Sequence, residues 1–558
     1  MSRAQVDAAA TARVQDEEGS DEDSDEEEEE EEEEEVRTEL MAAADDGNTE
    51  AVIALLADPG LEVNATDRDG RTALMLAVDR GHTETVTALL TARNVDVAAA
   101  DHSDRTALMR AAERGHTEMV TTLLTAPGRD AQSLDVNATS GDGRTALMLA
   151  VDRGHAETVT ALLAAPGLDV NVIVIEGGYG GRTALMQAAE GGHANTVRAL
   201  LAAPGLDVNA AGPGGWTSLM EAAARGHAEA VTALLTAPGL DPPLAVNATN
   251  DDGRSALMEA VDKGHTETVA ALVAAPELNV NAADGEDGKM ALVVAAERGL
   301  AEMVTALLAA PRLDVNATYA NGGTALMYAA ANRRAETVTA LLAAPGLDVN
   351  AADGEGRTAL LEAVDADHAE TVTALVAAPG LDANIADDDD GQTILMRLAE
   401  KGRTEMFKAL LTVDGLNVNA TDSELRTALM EAAGGGHTEM VTALLAAPGL
   451  EPPLAVNAAD VDGATALMWA AGRGHAETVT ALLAAPGLDV NAADGDGETA
   501  LMQAARLGHV ETVRALLVRP DLDVTAANCH GLTALDHAEK GGHIEVASVL
   551  RSRRRRSV

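Results

Sequence analysis

The chain has 558 residues, 46% of them apolar, yet only 1% aromatic (one Phe, two Trp, three Tyr), so any core is built from Ala, Leu, Val and Met. Its formal charge of −52 repels phosphate backbones and excludes nucleic acid as a primary ligand. A single cysteine, Cys529, excludes an internal disulfide framework and a multi-thiolate metal cluster, and points to a reducing compartment, cytoplasmic or nuclear.

Residues 1–36 hold 18 acidic and two basic side chains, with ten consecutive glutamates from Glu26 to Glu35. A segment of that kind cannot build a packed core and reads as a disordered acidic tail. It lacks the apolar stretch of a signal peptide, and nowhere does the chain approach the roughly 18 apolar residues that would insert into a membrane. Ser20 in SDED and Ser24 in SDEE have the flanks of acidophilic kinase sites, where phosphate adds to the negative charge.

From residue 37 onward one unit recurs. Aligned on the Thr of TALM, its copies start at Thr38, Thr72, Thr106, Thr145, Thr183, Thr217, Ser255, Met290, Thr324, Thr358, Thr393, Thr427, Thr465, Thr499 and Thr533. The spacing is 34 or 35 residues in ten intervals and 38 or 39 in four, which means repeated copies of one supersecondary unit with loop-sized insertions. In the second copy Leu74, Ala77 and Val78 fall on one helical face behind Thr72, a candidate N-cap. Gly81 supplies a turn, and Val86, Leu89 and Leu90 stripe a second helix. A Pro-, Gly- and Asn-rich loop such as Ala485 to Gly497 leads to the next copy. No unit buries its apolar face alone, whereas a stack does.

The pattern GxTALMxAAxxGHxETVxALLxxPGLDVNA resembles the ankyrin repeat, with TALM where that family has TPLH and one extra residue in the APGLDVN loop. The resemblance runs from about Thr38 to Leu550 and implies an all-α ankyrin-repeat solenoid, a helix-turn-helix plus hairpin loop per unit. The resulting organisation is an acidic tail at 1–36, an array of about fifteen repeats at 37–550 and a basic tail at 551–558. Twelve units carry Met, for instance Met75, Met148 and Met468, where the family has its histidine; a thioether suits the filling of gaps between repeats. The resemblance also implies a partner surface on the concave face, made of hairpin tips and first helices.

On that face the residue after TALM varies: Leu76, Arg110, Gln187, Glu221, Val294, Tyr328, Arg397, Trp469, Gln503. It is taken as an exposed site whose variation suits distinct local ligands. Tyr328 and Trp469 occupy it, Tyr179, Trp216 and Tyr319 lie in or beside hairpin tips, and Phe407 alone among the aromatics replaces a core position. The candidate partner-binding residues are therefore Tyr179, Trp216, Tyr319, Tyr328, Arg397, Trp469 and Gln503.

The four insertions fall near Gly128, near Asn171, and in the related LDPPLAVNA from Leu240 and LEPPLAVNA from Leu450. In units nine and ten Arg333 and Asp367 stand where Gly81 stands, so left-handed backbone there costs about 1 kcal/mol or more and marks a weak layer or hinge. The C-terminal RSRRRRSV resembles a nuclear import signal or a basophilic kinase site at Ser557.

Ten histidines follow Gly in the GH turn, among them His82, His116, His155 and His475. One repeat apart, they lie about 8–10 Å from one another, too far to converge on zinc, and read as structural. The DxDG tips lack the acidic first and twelfth residues of a calcium loop and read as solvated turns, and GGYGGRT lacks the GK[ST] of a phosphate loop. No catalytic, metal or cofactor residues are assigned. The expected function is a non-enzymatic, monomeric interaction scaffold for proteins or peptide segments. Two alternatives are a histone- or chromatin-associated protein acting through its acidic tail, and a regulatory or substrate-adaptor subunit of an enzyme.

Overall fold

A computed structural model describes residues 38–126, 134–173, 180–285, 288–319, 321–386, 390–447 and 453–554. These residues hold thirty α-helices in fifteen antiparallel pairs, one pair for each TALM copy. In the second unit the helix Ala73–Arg80 starts where the Thr72 hydroxyl accepts the Met75 N–H at 3.4 Å. It stops at Gly81, whose φ of 81° is left-handed, and Thr83–Leu89 returns. The loop then folds into a hairpin closed by a bridge of the Thr66–Thr72 kind. In unit nine the bridge lengthens to paired strands Thr318–Tyr319 and Gly323–Thr324.

The pairs group into two compact units, one ending at Asp251 and the other starting at Asp252. Within each, first helices pack on first helices and second helices on second helices. Met75, Met109, Met148 and Met186 in one unit, and Met396, Met430, Met468 and Met502 in the other, are buried, filling gaps between Ala-rich helices as unbranched side chains do. Phe407 is fully buried.

Polar ladders hold successive repeats in register. The asparagine of each LDVNA loop staples its loop to the next. Asn316 donates to the Gly346 carbonyl (2.8 Å) and accepts the Asp348 N–H (2.8 Å), and Asn350 does the same with Gly380 and Asp382. Each such bond contributes about 1 kcal/mol net. The GH histidine reaches back to the first helix of the preceding repeat: His82 Nε2 to the Asp45 carbonyl at 3.0 Å, His475 to Gly434 at 3.0 Å, His509 to Gly472 at 3.1 Å. The glycine beside it serves the next layer. A Cβ on Gly47 would lie 2.6 Å from the His82 ring, and one on Gly474 would lie 2.7 Å from His509.

In unit nine Arg334 replaces the histidine and keeps the ladder, its Nε donating to the Glu297 carbonyl at 3.4 Å, whereas units ten and eleven break it. Arg333 and Asp367 do adopt left-handed backbone (φ 61° and 55°), and each puts a Cβ where the ladder elsewhere has a glycine. His368 turns instead to its own helix, its Nδ1 lying 2.6 Å from the Thr371 hydroxyl. In unit eleven Arg403 replaces the histidine and pairs with Asp367 at 2.7 Å.

The last helix, Ile544–Arg554, carries the first arginines of the basic segment, with Arg551 2.6 Å from Glu539.

Candidate binding face on the hairpin tips and first helices

Many hairpin tips are organised by their first Asp, a place taken by Ser140 and Asn528 in two others. The Asp460 Oδ1 accepts the N–H groups of Asp462 (3.0 Å) and Ala464 (2.8 Å), and Asp494 accepts those of Asp496 (3.0 Å) and Glu498 (2.8 Å). Asp, with two acceptor oxygens on a short stem, suits this turn. The expectation of solvated tips needs correction here: Asp101, Asp422 and Asp460 are buried, while Glu424, Asp462 and Asp496 further along the tips are exposed. Many successive tips are joined by one backbone bond, among them Ser423 N–H to Asp390 O (2.8 Å), Val461 to Glu424 (3.1 Å), Gly495 to Asp462 (2.8 Å) and Cys529 to Asp496 (2.9 Å).

The second oxygen of the tip Asp faces the residue after TALM, nine positions on. Trp469 Nε1 donates to Asp460 Oδ2 at 2.9 Å, Gln503 Nε2 to Asp494 at 3.1 Å, and the Arg110 guanidinium to Asp101. The residue after TALM is therefore not an exposed site: Leu76, Gln187, Glu221 and Val294 are buried, and Arg110, Tyr328, Arg397, Trp469 and Gln503 are half-buried. The tip of the same unit roofs it, and neighbouring first helices flank it.

Its variation follows those neighbours. At three of the sites where Arg precedes the capping Thr or Ser, a glutamate stands five residues on and pairs with it: Arg254 with Glu259 at 3.0 Å, Arg357 with Glu362 at 2.8 Å, Arg426 with Glu431 at 3.3 Å. Arg71, Arg105, Arg144 and Arg182 are followed instead by Leu76, Arg110, Leu149 and Gln187. Burial pushes the carboxyls of Glu259, Glu362 and Glu431 above the ordinary glutamate range despite those arginines; Glu221, 2.9 Å from Arg182, behaves the same way. At Asp101 burial also acts upward, but hydrogen bonds from the Arg105 and Ser103 backbone and from Arg110 outweigh it and hold the carboxyl low. Where the Arg slot shrinks, an aromatic enters. Gly323 precedes Thr324 five residues before Tyr328, and a Cβ there would lie 3.0 Å from the ring; Ala464 stands in the same relation to Trp469.

Two aromatic sites result. Tyr319 and Tyr328 stack obliquely, centroids 5.8 Å apart at 53°, with Lys289 Nζ 5.8 Å over the Tyr319 ring and 3.0 Å from Glu297. Trp469 lies against the Arg473 guanidinium, 4.8 Å away, over Gly434, where a Cβ would approach the ring to 2.8 Å. Arg397 sits 3.5 Å from Asp365, and half-buried Trp216 follows the turn Pro213–Gly215. Tyr179, Ser20, Ser24 and Ser557 lie outside the described residues.

Sequence reasoning missed two residues. Leu425 and Val461, on adjacent tips, are 48% and 61% exposed. The signal for Leu425 was its place in the alignment, where other units have a glycine, as at Gly391 and Gly463.

Among the described residues no group of three His, Cys, Asp or Glu side chains is placed to hold a metal ion, and no helix is long and apolar enough to cross a membrane. A family model for ankyrin repeats (3 copies) matches in nine overlapping windows that together span residues 40–556. Among solved structures, the chain is similar to the ankyrin repeat domain of Bcl-3, described as a unique member of the IkappaB protein family. The identity is 30% over 40% of this chain and 93% of that one, with a TM-score of 0.36. No curated protein matches.

Proposed function

The chain belongs to the ankyrin-repeat family, whose repeats generally mediate protein–protein interaction, and from that premise we propose that it is a non-enzymatic scaffold holding protein segments against its hairpin tips and first helices. The observation that carries this reading is where the aromatics lie. Trp216, Tyr319, Tyr328 and Trp469 are half-buried on the tip and first-helix side, whereas Phe407, on a second helix, is fully buried. Rigid, partly exposed rings with a polar anchor are the usual contributors to binding energy at protein interfaces.

The test compares proteins retained by the full chain with those retained by a Trp469→Ala, Tyr328→Ala double variant of unchanged circular dichroism. Partners lost from the variant support the reading. Binding that survives the variant, vanishes when residues 1–36 are deleted and collapses at about 0.5 M salt would instead assign the interaction to the acidic tail.

A further inference from the structure

At the described tips the residue two before the capping Thr, Ser or Met adopts left-handed backbone, and it is glycine at every one except Asp104 and Leu425. Asp tolerates that conformation through its short polar side chain; leucine does not, and is strained at φ 57°. The strain gains Leu425 no burial, since its side chain is half exposed. Unlike the exposed Arg312 and Arg333, which hold a charged side chain in water in the same backbone region, Leu425 leaves an apolar side chain there for a partner to cover.

The neighbouring tip also exposes an apolar side chain, without the strain. Val461 takes a position where Arg68, His102, Gly354, Ser423 and Gly495 stand elsewhere, and the backbone bond from Val461 to Glu424 sets the two tips side by side. Asp460, next to Val461, accepts the Trp469 Nε1–H at 2.9 Å, and Arg473 stacks on that ring. Around this apolar surface stand exposed Glu424, Asp462 and Asp496, while Arg426 is held in ion pairs with Asp422, Glu424 and Glu431.

We propose that Leu425 and Val461 form a docking patch for a basic peptide segment of a partner protein that carries an aliphatic side chain between its cations. This rests on reading the tips and first helices as the partner-binding face, and it names the part of that face and the chemistry of its ligand. The aliphatic side chain covers Leu425 and Val461, and the flanking cations meet Glu424, Asp462 and Asp496.

The experiment titrates the full chain with a labelled peptide of interspersed arginines and leucines, and with a counterpart in which serine replaces each leucine. Both peptides also meet the acidic residues 1–36, so the quantity read is the ratio of their affinities. We expect the leucine peptide to bind about tenfold tighter, the equivalent of one buried leucine side chain. Leu425→Gly or Val461→Ser should remove that preference. Leu425→Gly should also raise thermal stability, because it relieves the strained backbone, so weaker binding in a more stable protein cannot come from damage to the fold. A preference that survives both substitutions overturns the patch. If it survives them but disappears in Tyr328→Ala, the patch falls while the broader binding face stands; if it survives all three, both fall.

Discussion

The third residue of most second helices is a buried threonine, and its hydroxyl provides a test in which one substitution changes sign from repeat to repeat. Thr85, Thr158 and Thr478 pair with the hydroxyls of Thr49, Thr117 and Thr438, the first helical residues of the preceding repeat, at 2.8–2.9 Å. Thr196, Thr337 and Thr512 are equally buried, but alanine stands at that place in the preceding repeat, at Ala156, Ala301 and Ala476, and their hydroxyls have no partner among the described residues. Replacing Thr by Val keeps the side-chain shape and the helix propensity and removes the hydroxyl. At 85, 158 and 478 this sacrifices a bond and should cost about 1 kcal/mol; at 196, 337 and 512 it removes an unsatisfied buried group and should stabilise by about 1 kcal/mol. Ala156→Thr should supply the missing partner, so that Thr196→Val becomes destabilising in that background. Urea denaturation combined with hydrogen exchange of the flanking helices reads these local changes without requiring the whole array to unfold at once. If Thr→Val shifts stability in the same direction at both sets of sites, the inter-repeat hydroxyl pairing is refuted.

Arg333→Gly should stabilise the chain by about 1 kcal/mol through relief of left-handed strain, whereas Asp367→Gly should gain less, because Asp tolerates that backbone and its removal breaks the ion pair with Arg403. Units eight to eleven should exchange amide hydrogens faster than their neighbours before substitution; uniform protection would rule out a weak layer there. Asn350→Ala removes both of its cross-loop bonds and should cost about 1–2 kcal/mol in urea denaturation, against less than about 0.5 kcal/mol for an exposed control substitution. In an NMR titration the carboxyls of Glu221, Glu259, Glu362 and Glu431 should titrate above the ordinary glutamate range. The folded chain then holds more protons than the unfolded chain in that window, so these four groups oppose folding above it and the penalty fades as pH falls through it. Asp101 and Asp262, held low, have the opposite sign: their contribution is present above the usual aspartate range and is lost as pH falls through their folded values.

The fifteen helix pairs, the capping threonines, the turn at Gly81, the left-handed backbone at Arg333 and Asp367 and the burial of Phe407 were all legible in the amino-acid order, because each depends on neighbours within about one helical turn or on the repeat period. The exposure of the residue after TALM was not legible. It depends on which hairpin roofs it and which first helix lies beside it, and a single repeat carries neither fact. The same holds for the partners of Asn316, His475 and Thr158, which lie 30–41 residues away in the chain and meet only when repeats stack. The strain at Leu425 joins the two levels: the substituted glycine was visible in the alignment, but only the folded hairpin shows a leucine held in left-handed backbone with its side chain left half in water.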